Sequence, residues 1–346
     1  MSRVRRQSSD VHVAAVIPAY NVSVELGAVL RALPALFSSV IVVDDASSDD
    51  TSAVAERYRQ LDHRIEVIRH KENQGVGGAM VTGFHAALVA GADVIVKVDG
   101  DGQMPMWLIP DLIEPLVKGT ADYAKGNRFR DLVALRSMPP LRRFGNVALS
   151  FLAKSATGYW KCFDPTNGFV AIRADVLSQI PLAKVDRGYF FETSMLSHLY
   201  LIGAVVKDIA IPARYAGEVS SLSIPRVLRQ FPLRLLSSLA RRLVWKNFLY
   251  DFNLESVHLL VGSMLLFSGA TYGGYQWMWY ASRRLGAPAG TVVLPSMMII
   301  IGVQLLLSAL QLDLDATPVT PVNRGPLVRQ SAVEVTTSAM RESGTI

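Results

Sequence analysis

Over roughly the first 220 residues, short apolar runs alternate with segments whose apolar positions recur at helical spacing, and most of the apolar runs end in a polar loop. Val11 to Ile17 reads as a first strand closing on Pro18-Ala19-Tyr20-Asn21. Glu25 to Leu36 suits a helix, and Val40 to Val43 reads as a second strand running into Asp44-Asp45-Ala46-Ser47-Ser48-Asp49-Asp50-Thr51. A helix to about Gln60, the strand Ile65–Arg69 and the turn Asn73-Gln74-Gly75-Val76-Gly77-Gly78 follow, the turn opening a helix over Ala79–Val89. The run Asp93–Val98 then leads directly into Asp99-Gly100-Asp101-Gly102-Gln103. This alternation predicts an α/β fold, a mostly parallel sheet flanked by helices. Loops at the carboxyl edge of such a sheet converge on one crevice.

The last third of the chain follows a different pattern. Val257 to about Met278 and Gly290 to about Leu312 are uncharged, apolar and long enough to cross a bilayer; two buried helices of a soluble core are the alternative. The connector Tyr280–Pro288 is short, and Trp277, Trp279 and Tyr280 stand where an interfacial belt would, which predicts a two-helix membrane hairpin. Before it, Leu, Val, Phe and Trp are spaced among arginines and interrupted at Pro225 and Pro232, as in amphipathic juxtamembrane helices that turn basic side chains toward lipid phosphates. Arg226, Arg229, Arg234, Arg241, Arg242 and Lys246 outweigh Arg283 and Arg284 at the connector. That bias predicts both hairpin ends, and the domain before them, on the cytoplasmic side of a cell membrane. After Leu312 the composition turns polar without periodicity. The expected division is a flexible tail over 1–11, a catalytic domain over 12–222, juxtamembrane helices over 223–253, two membrane helices over 254–312 and a disordered tail over 313–346.

Composition agrees with this division. A chain of 346 residues that is 50% hydrophobic, with a mean hydropathy of +0.28, has apolar material for a large soluble domain and for segments in lipid. The single cysteine, Cys162, excludes an intramolecular disulfide and a multi-cysteine zinc site, and suits a cytosolic domain. The net charge of +6 concentrates between Arg226 and Lys246, a local patch rather than the footprint of a nucleic-acid-binding protein. Met1–Asp10 is short, basic and polar, so no secretory signal is expected.

Candidate chemistry lies at the strand ends. The strand period of two puts Asp99 and Asp101 on the same side just as the sheet ends. With the amide oxygen of Gln103 they would suit a hard divalent cation that keeps positions open for substrate phosphates, although a polar Asp-Gly turn accounts for the same letters. Asp44 and Asp45 can accept hydrogen bonds from a base edge or ribose hydroxyls, while Asp49 and Thr51 could instead cap the next helix. Asn73–Gly78 offers glycine amides that could approach an anion at a helix N-terminus, without the spacing of a dinucleotide or P-loop motif.

Taken together and in order, Pro18-Ala19-Tyr20-Asn21, Val43-Asp44-Asp45-Ala46-Ser47, Asn73-x-Gly75-x-Gly77, Asp99-Gly100-Asp101-Gly102-Gln103 and Gly126-Asn127-Arg128-Phe129 resemble the family 2 glycosyltransferases of the GT-A fold. Asp164-Pro165-Thr166-Asn167-Gly168-Phe169, Tyr189-Phe190-Phe191-Glu192 and Glu218-Val219-Ser220-Ser221-Leu222 extend the resemblance, which covers about residues 13–312. It is most similar to the branch containing dolichol-phosphate mannose synthase and bacterial polyprenyl-phosphate glycosyltransferases with a C-terminal membrane hairpin. The resemblance implies a UDP- or GDP-linked sugar donor, a polyprenyl phosphate acceptor, and Mg²⁺ or Mn²⁺ held by Asp101 with Asp99 and Gln103. It implies donor binding by Pro18, Ala19, Tyr20, Asp44, Asp45, Asn73, Gly75, Gly77 and Asp99, and fixed positive charge from Arg128 with Arg142 or Arg143.

The acceptor decides whether a base is needed. A lipid phosphate is already an anion and can displace the nucleotide with inversion, whereas a sugar hydroxyl needs a carboxylate, for which Glu192 is the first candidate and Asp164 the second. Val22 stands where many relatives carry Glu, leaving one nucleobase contact missing or assigned to Glu25. The Gln-x-x-Arg-Trp element of processive synthases is absent, so polymer extrusion is not expected. A transferase acting on a glycan hydroxyl and a non-catalytic nucleotide-binding membrane scaffold are the alternatives, the second opposed by intact Asp99, Asp101 and Gln103. The oligomeric state, a homo-oligomer included, is left open.

Overall fold

The computed structural model describes residues 11–128, 150–212, 224–323, 325 and 327. Within them one sheet is built from β1 (Val13–Ala19), β2 (Phe37–Asp44), β3 (Ile65–Arg69), β4 (Val94–Lys97), β5 (Tyr123–Asn127), β6 (Val170–Arg173) and β7 (Val206–Ala210), in the spatial order β3-β2-β1-β4-β6-β5-β7. The first four strands are mutually parallel, β6 runs antiparallel to both β4 and β5, and β5 pairs with β7 in parallel. Helices α1 (Ser23–Ala32), α2 (Thr51–Leu61), α3 (Val76–Val89) and α4 (Ile109–Val117) cover the faces. This is the mostly parallel GT-A arrangement that the sequence predicts.

Period-two geometry explains the core. Along β1, Ala14 and Val16 enter one apolar cluster while Ala15 and Ile17 enter the other, on the opposite face. A strand buried on both faces reads as a continuous apolar run, which is what Val13–Ile17 shows. Because β1, β2 and β4 are parallel, their carboxyl ends emerge on one edge, with Ala19 paired to Asp44 and Val16 to Lys97. Helix α1 stops at Ala32, short of the expected Leu36, because Leu33 precedes Pro34 and takes the extended conformation that proline imposes on its predecessor.

Toward the C-terminus come α5 (150–157), α6 (Ala174–Leu177), α7 (Phe191–Leu201) and α8 (Ile224–Val244), the last running into a π-helical turn over Trp245–Tyr250. Asn253 then caps α9 (Leu254–Arg283), its Oδ1 accepting the amides of Glu255 at 2.9 Å and Ser256 at 3.3 Å while Ser256 Oγ accepts the Asn253 amide at 3.1 Å. Helix α10 (Ala289–Asp315) packs back along α9 so closely at Gly302 that a Cβ there would lie 2.9 Å from the Gly262 carbonyl oxygen. Both helices are long and apolar enough to cross a membrane. Their outward faces carry Met264, Phe267 and Ile300 at 74%, 70% and 67% exposure, the reverse of a helix pair buried in a soluble core.

Two expectations for this region are corrected. Arg242 and Lys246 do not turn toward lipid phosphates. Arg242 is buried, with Nη1 and Nη2 on the two Asp313 oxygens at 2.7 and 2.8 Å, and Lys246 Nζ reaches Asp313 Oδ1 at 2.7 Å and Glu255 Oε2 at 2.8 Å. Trp160 Nε1 donates to the same Asp313 at 2.9 Å, so the foot of the hairpin is fastened to the domain by a buried charge cluster. The segment expected to be disordered from 313 is ordered at its start: α10 continues to Asp315, Val322 N donates to Asp122 Oδ2 at 3.0 Å and Leu327 N to the Val117 carbonyl at 2.9 Å. Apolar Val322 and Leu327 give those few residues a surface to bury against the two core clusters, which polarity averaged over the tail conceals.

Candidate active site

A cavity of about 500 Å³ opens at the edge where β1, β2 and β4 end. Pro18, Ala19 and Tyr20 supply one wall, Asp45, Asn73 and Gly75 a second, Asp99 and Asp101 a third, and Gly188 and Tyr189 reach in from the loop before α7. Tyr20 and Tyr189 are 51% and 62% exposed, leaving aromatic faces open beside the carboxylates.

Asp45 organises the second wall. Its Oδ1 accepts the Gln74 amide at 2.8 Å and faces His70 Nδ1 at 2.7 Å, its Oδ2 accepts the Gly75 amide at 2.8 Å, and its carbonyl accepts Asn73 Nδ2 at 3.3 Å. The amides of Gly77 and Gly78 are taken by the Arg187 carbonyl, at 2.8 and 3.2 Å. The helix N-terminus expected to meet an anion is therefore spent internally, and the glycines serve a close approach. A Cβ on Gly77 would lie 2.2 Å from the Asp186 carbonyl oxygen, and Gly75 adds a φ of +82°. Asp44 sits beneath the cavity wall, fully buried, with Oδ1 accepting the Ser47 amide at 2.9 Å and Oδ2 facing Arg69 Nε at 3.4 Å. Asn21, in the left-handed region at φ 53°, ties the β1 and β2 loops together by accepting the Ser48 amide at 2.9 Å.

The third wall rests on a buried lysine. Lys97, the last residue of β4, places Nζ 2.9 Å from Asp99 Oδ1 and 3.0 Å from Glu192 Oε1. Burial alone would pull this ammonium down, but the two carboxylates outweigh it and hold Lys97 above the ordinary lysine range. Gly168 makes room for the contact: a Cβ there would lie 2.4 Å from Lys97 Nζ. Asp101 is exposed at the cavity, its Oδ1 accepting the Gln103 amide at 3.1 Å.

Asp164 belongs to a neighbouring pair. Arg128 grips it with Nε at 2.7 Å from Oδ2 and Nη2 at 2.9 Å from Oδ1, and Asn167 Nδ2 adds a contact at 2.9 Å. Burial would raise the Asp164 carboxyl, yet the Arg128 hydrogen bonds and charge hold it below the usual carboxylate range.

The cavity thus gathers Pro18, Ala19, Tyr20, Asp45, Asn73, Gly75, Asp99 and Asp101, whereas Asp44 and Gly77 support its walls and Glu192 joins it through Lys97. Arg142, Arg143 and the Glu218–Leu222 element lie outside the described residues. Among the described residues no three His, Cys, Asp or Glu side chains cluster as a complete metal cage. Two carboxylates at an open cavity still fit Mg²⁺ or Mn²⁺, which take one or two protein carboxylates and leave the remaining positions to phosphates and water. Sequence reasoning passed over Lys97 and gave Gly168 no role beyond its place in the Asp164–Phe169 element. The available signal was a lysine inside an otherwise apolar strand run, since a buried cation demands buried anions.

Comparison with known proteins places these residues in context. The glycosyl transferase family 2 profile matches residues 14–180. The undecaprenyl-phosphate mannosyltransferase of Micrococcus luteus is 32% identical over 206 residues, 58% of this chain and 83% of that protein. The UDP-N-acetylglucosamine–dolichyl-phosphate N-acetylglucosaminyltransferase of Methanococcus voltae is 30% identical over 165 residues, 44% of this chain and 66% of that protein. A crystal structure of a mycobacterial protein superposes with a TM-score of 0.50 at 20% identity, over 67% of this chain and 74% of that one, a likeness of fold.

Proposed function

The chain belongs to the family 2 glycosyltransferases, and from that premise we propose that it moves a single sugar from a nucleotide-diphosphate donor to a polyprenyl phosphate, anchored in the membrane by α9 and α10. The observation that carries the acceptor is the state of the two candidate bases. Glu192 is ion-paired with buried Lys97 and Asp164 is clamped by Arg128, so both carboxylates are already engaged by cations. An acceptor that needs no deprotonation fits such a site, and a phosphate is one. The named acceptors of the two relatives, undecaprenyl phosphate and dolichyl phosphate, have the same chemistry.

In this reading Tyr20 and Tyr189 flank the nucleoside, and Asp45 holds the Asn73–Gly75 wall against it. Asp101, with Asp99 and Gln103 beside it, would hold Mg²⁺ or Mn²⁺, which when bound neutralises charge on the departing diphosphate. An oxygen of the acceptor phosphate attacks the anomeric carbon and the bond from that carbon to the diphosphate oxygen breaks. The nucleoside diphosphate leaves with the electron pair, and configuration inverts. Arg128 provides fixed positive charge at the acceptor side, joined, on the family resemblance, by Arg142 or Arg143. The excess of basic residues before α9 over those at the α9–α10 connector, counted without the internally paired Arg242 and Lys246, supports the cytoplasmic leaflet.

The test is label transfer by the detergent-solubilised chain from a panel of UDP- and GDP-sugars to polyprenyl phosphate, with Mn²⁺ or Mg²⁺, compared with Asp101→Ala. Acid-labile, organic-extractable label that vanishes in the variant is the expected result. Donor binding without any lipid label would overturn the acceptor and return Glu192 to consideration as a base for a hydroxyl.

A further inference from the structure

A second cavity, of about 210 Å³, lies on the far side of the loop that closes the donor crevice. Asp186 and Phe190 line it, whereas Gly188 and Tyr189 of the same loop line the first cavity. Its walls come from α7 and α8, and they are basic: Lys184, Arg234 and Arg241 surround it together with His198, Ser237 and Ser238. The one carboxylate in the lining is already satisfied, since Asp186 Oδ2 pairs with Arg234 Nη1 at 2.9 Å and Oδ1 accepts the Gly188 amide at 2.8 Å. Among the described residues, no acidic side chain lies within ion-pair distance of Lys184 or Arg241. A net positive, hydroxyl-lined cavity is left over. His198 registers the field: burial first, then the like charges of Arg241 and Lys184, hold its imidazole below the ordinary range, against a raising hydrogen bond to the Ser194 carbonyl.

Position narrows the ligand. Arg241 sits about one helical turn before Trp245, and the exposed Phe248, Leu249, Tyr250 and Phe252 follow before α9 begins. Aromatic side chains in such a row occupy the headgroup level when the next helix enters a bilayer. With α9 in the membrane, as proposed above, the cavity lies near the level of the lipid phosphates, and paired cations with hydroxyl donors match a phosphate group better than a neutral one. We infer that this cavity is a second phosphate-binding site, separate from the donor crevice, that takes the phosphate of an anionic phospholipid headgroup or of a soluble phosphate ester. A bound phosphate would bridge Lys184, before α7, to Arg241 on α8, fastening the juxtamembrane helix to the loop that carries Tyr189.

The experiment uses the full chain in phosphatidylcholine nanodiscs containing phosphatidylglycerol, followed by extraction into detergent and native mass spectrometry of the lipids that stay bound. Retention of phosphatidylglycerol, with phosphatidylcholine washed away, is expected. At roughly fivefold per basic group, Lys184→Gln/Arg241→Gln should weaken it about twenty-five-fold. Lys184→Arg/Arg241→Lys should restore retention, which separates loss of charge from loss of fold. A parallel titration with inorganic phosphate distinguishes the sources: phosphate binding without lipid retention, with the phosphate binding lost in the Gln variant, assigns the site to a soluble phosphate ester. Lipid retention unchanged by the Gln variant, or neither lipid nor phosphate held by the wild type, would overturn the inference. Neither arm measures sugar transfer, so the result stands apart from the proposed activity.

Discussion

Lys97 and Glu192 are 95 residues apart in the chain, yet Lys97 Nζ lies 3.0 Å from Glu192 Oε1, joining the end of β4 to the first turn of α7 beneath the candidate metal carboxylates. Lys97→Met would leave two carboxylates facing each other with no cation between them. Removing one partner of a buried ion pair costs about 3–5 kcal/mol, whereas replacing the pair together is far milder. Urea unfolding of the solubilised chain should show Lys97→Met strongly destabilised and Lys97→Met/Glu192→Gln substantially recovered, because Asp99, one-third exposed, can then be solvated. Equal stability of the two variants would mean that Lys97 and Glu192 are not coupled. The raised Lys97 pKa also fixes the sign of the pH effect: its stabilisation is fully present below the unfolded-state value of 10.5 and is lost only as pH climbs through the higher folded value.

The same pairing predicts the kinetic behaviour of Glu192→Gln. A general base that removes a proton in the transition state contributes on the order of 10²- to 10⁴-fold, and its loss would fall on kcat. With a phosphate acceptor no such proton exists. Glu192→Gln should therefore retain lipid-linked transfer to within about tenfold of wild type, while Asp101→Ala abolishes it. A kcat loss of about a thousandfold in Glu192→Gln would make the glutamate a base and the acceptor a hydroxyl.

Asp45 offers a separate handle on the donor wall. Asp45→Asn keeps the shape but loses charge-assisted acceptance from the Gln74 and Gly75 amides, and one of its former acceptor atoms now donates. The Asn73–Gly75 turn should loosen, seen as a stability loss of about 1–3 kcal/mol and a raised KM for the nucleotide sugar with a smaller change in kcat. Unchanged donor KM would separate this turn from donor binding.

Much of this architecture can be read along the chain. The parallel half of the sheet is legible because strands buried on both faces must be continuously apolar, as Val13–Ile17 is. The converging loops then follow from the parallel pairing of β1, β2 and β4. The antiparallel β6, inserted between β4 and β5, carries no comparable local signature, since Val170–Arg173 is short and its direction is set by distant chain. The carboxylates Asp45, Asp99 and Asp101 could be picked out by position, but not what each one holds. Asp45 binds its own loop, and Asp99 binds a lysine two residues back. Arg242 misleads for a related reason: an arginine beside a membrane helix reads as a lipid contact until Asp313, 71 residues later, is brought against it.

Acid should release Asp164. Its folded pKa lies below the ordinary value of 3.8, so its stabilisation is present above that value and is lost as pH falls through the lower folded value. Asp164→Asn should cost about 1–2 kcal/mol at neutral pH, the low side for hydrogen bonds to a charged group because Arg128 is 44% exposed and screened. The gap between wild type and variant should stay constant from neutral pH to roughly pH 5 and close below about pH 4, a window set by the ordinary value and the lower folded value together. A gap independent of pH down to acid unfolding would mean that the carboxylate's charge does not carry the contact.

Arg242 tests how the hairpin is held to the catalytic domain. Its guanidinium satisfies both oxygens of Asp313, and its Nε and Nη2 also donate to the Ser155 carbonyl at 3.1 and 2.7 Å, so one side chain links α8, α5 and the end of α10. Arg242→Met keeps much of the stem's packing but leaves Asp313 with Lys246, the Trp160 indole and a long Tyr200 hydroxyl contact at 3.5 Å, and strands the Ser155 carbonyl. A loss of about 3–5 kcal/mol is expected for breaking a buried pair from one side. The loss should be local: hydrogen exchange should rise first in α5, around Trp160 and at the α8–α9 junction, while β1, β2 and β4 stay protected. Arg242→Lys should recover only part of this, because an ammonium cannot span both Asp313 oxygens and Ser155 in one plane. If Arg242→Met instead raised exchange uniformly across the sheet, the cluster would be part of the global core rather than the clasp between domain and hairpin.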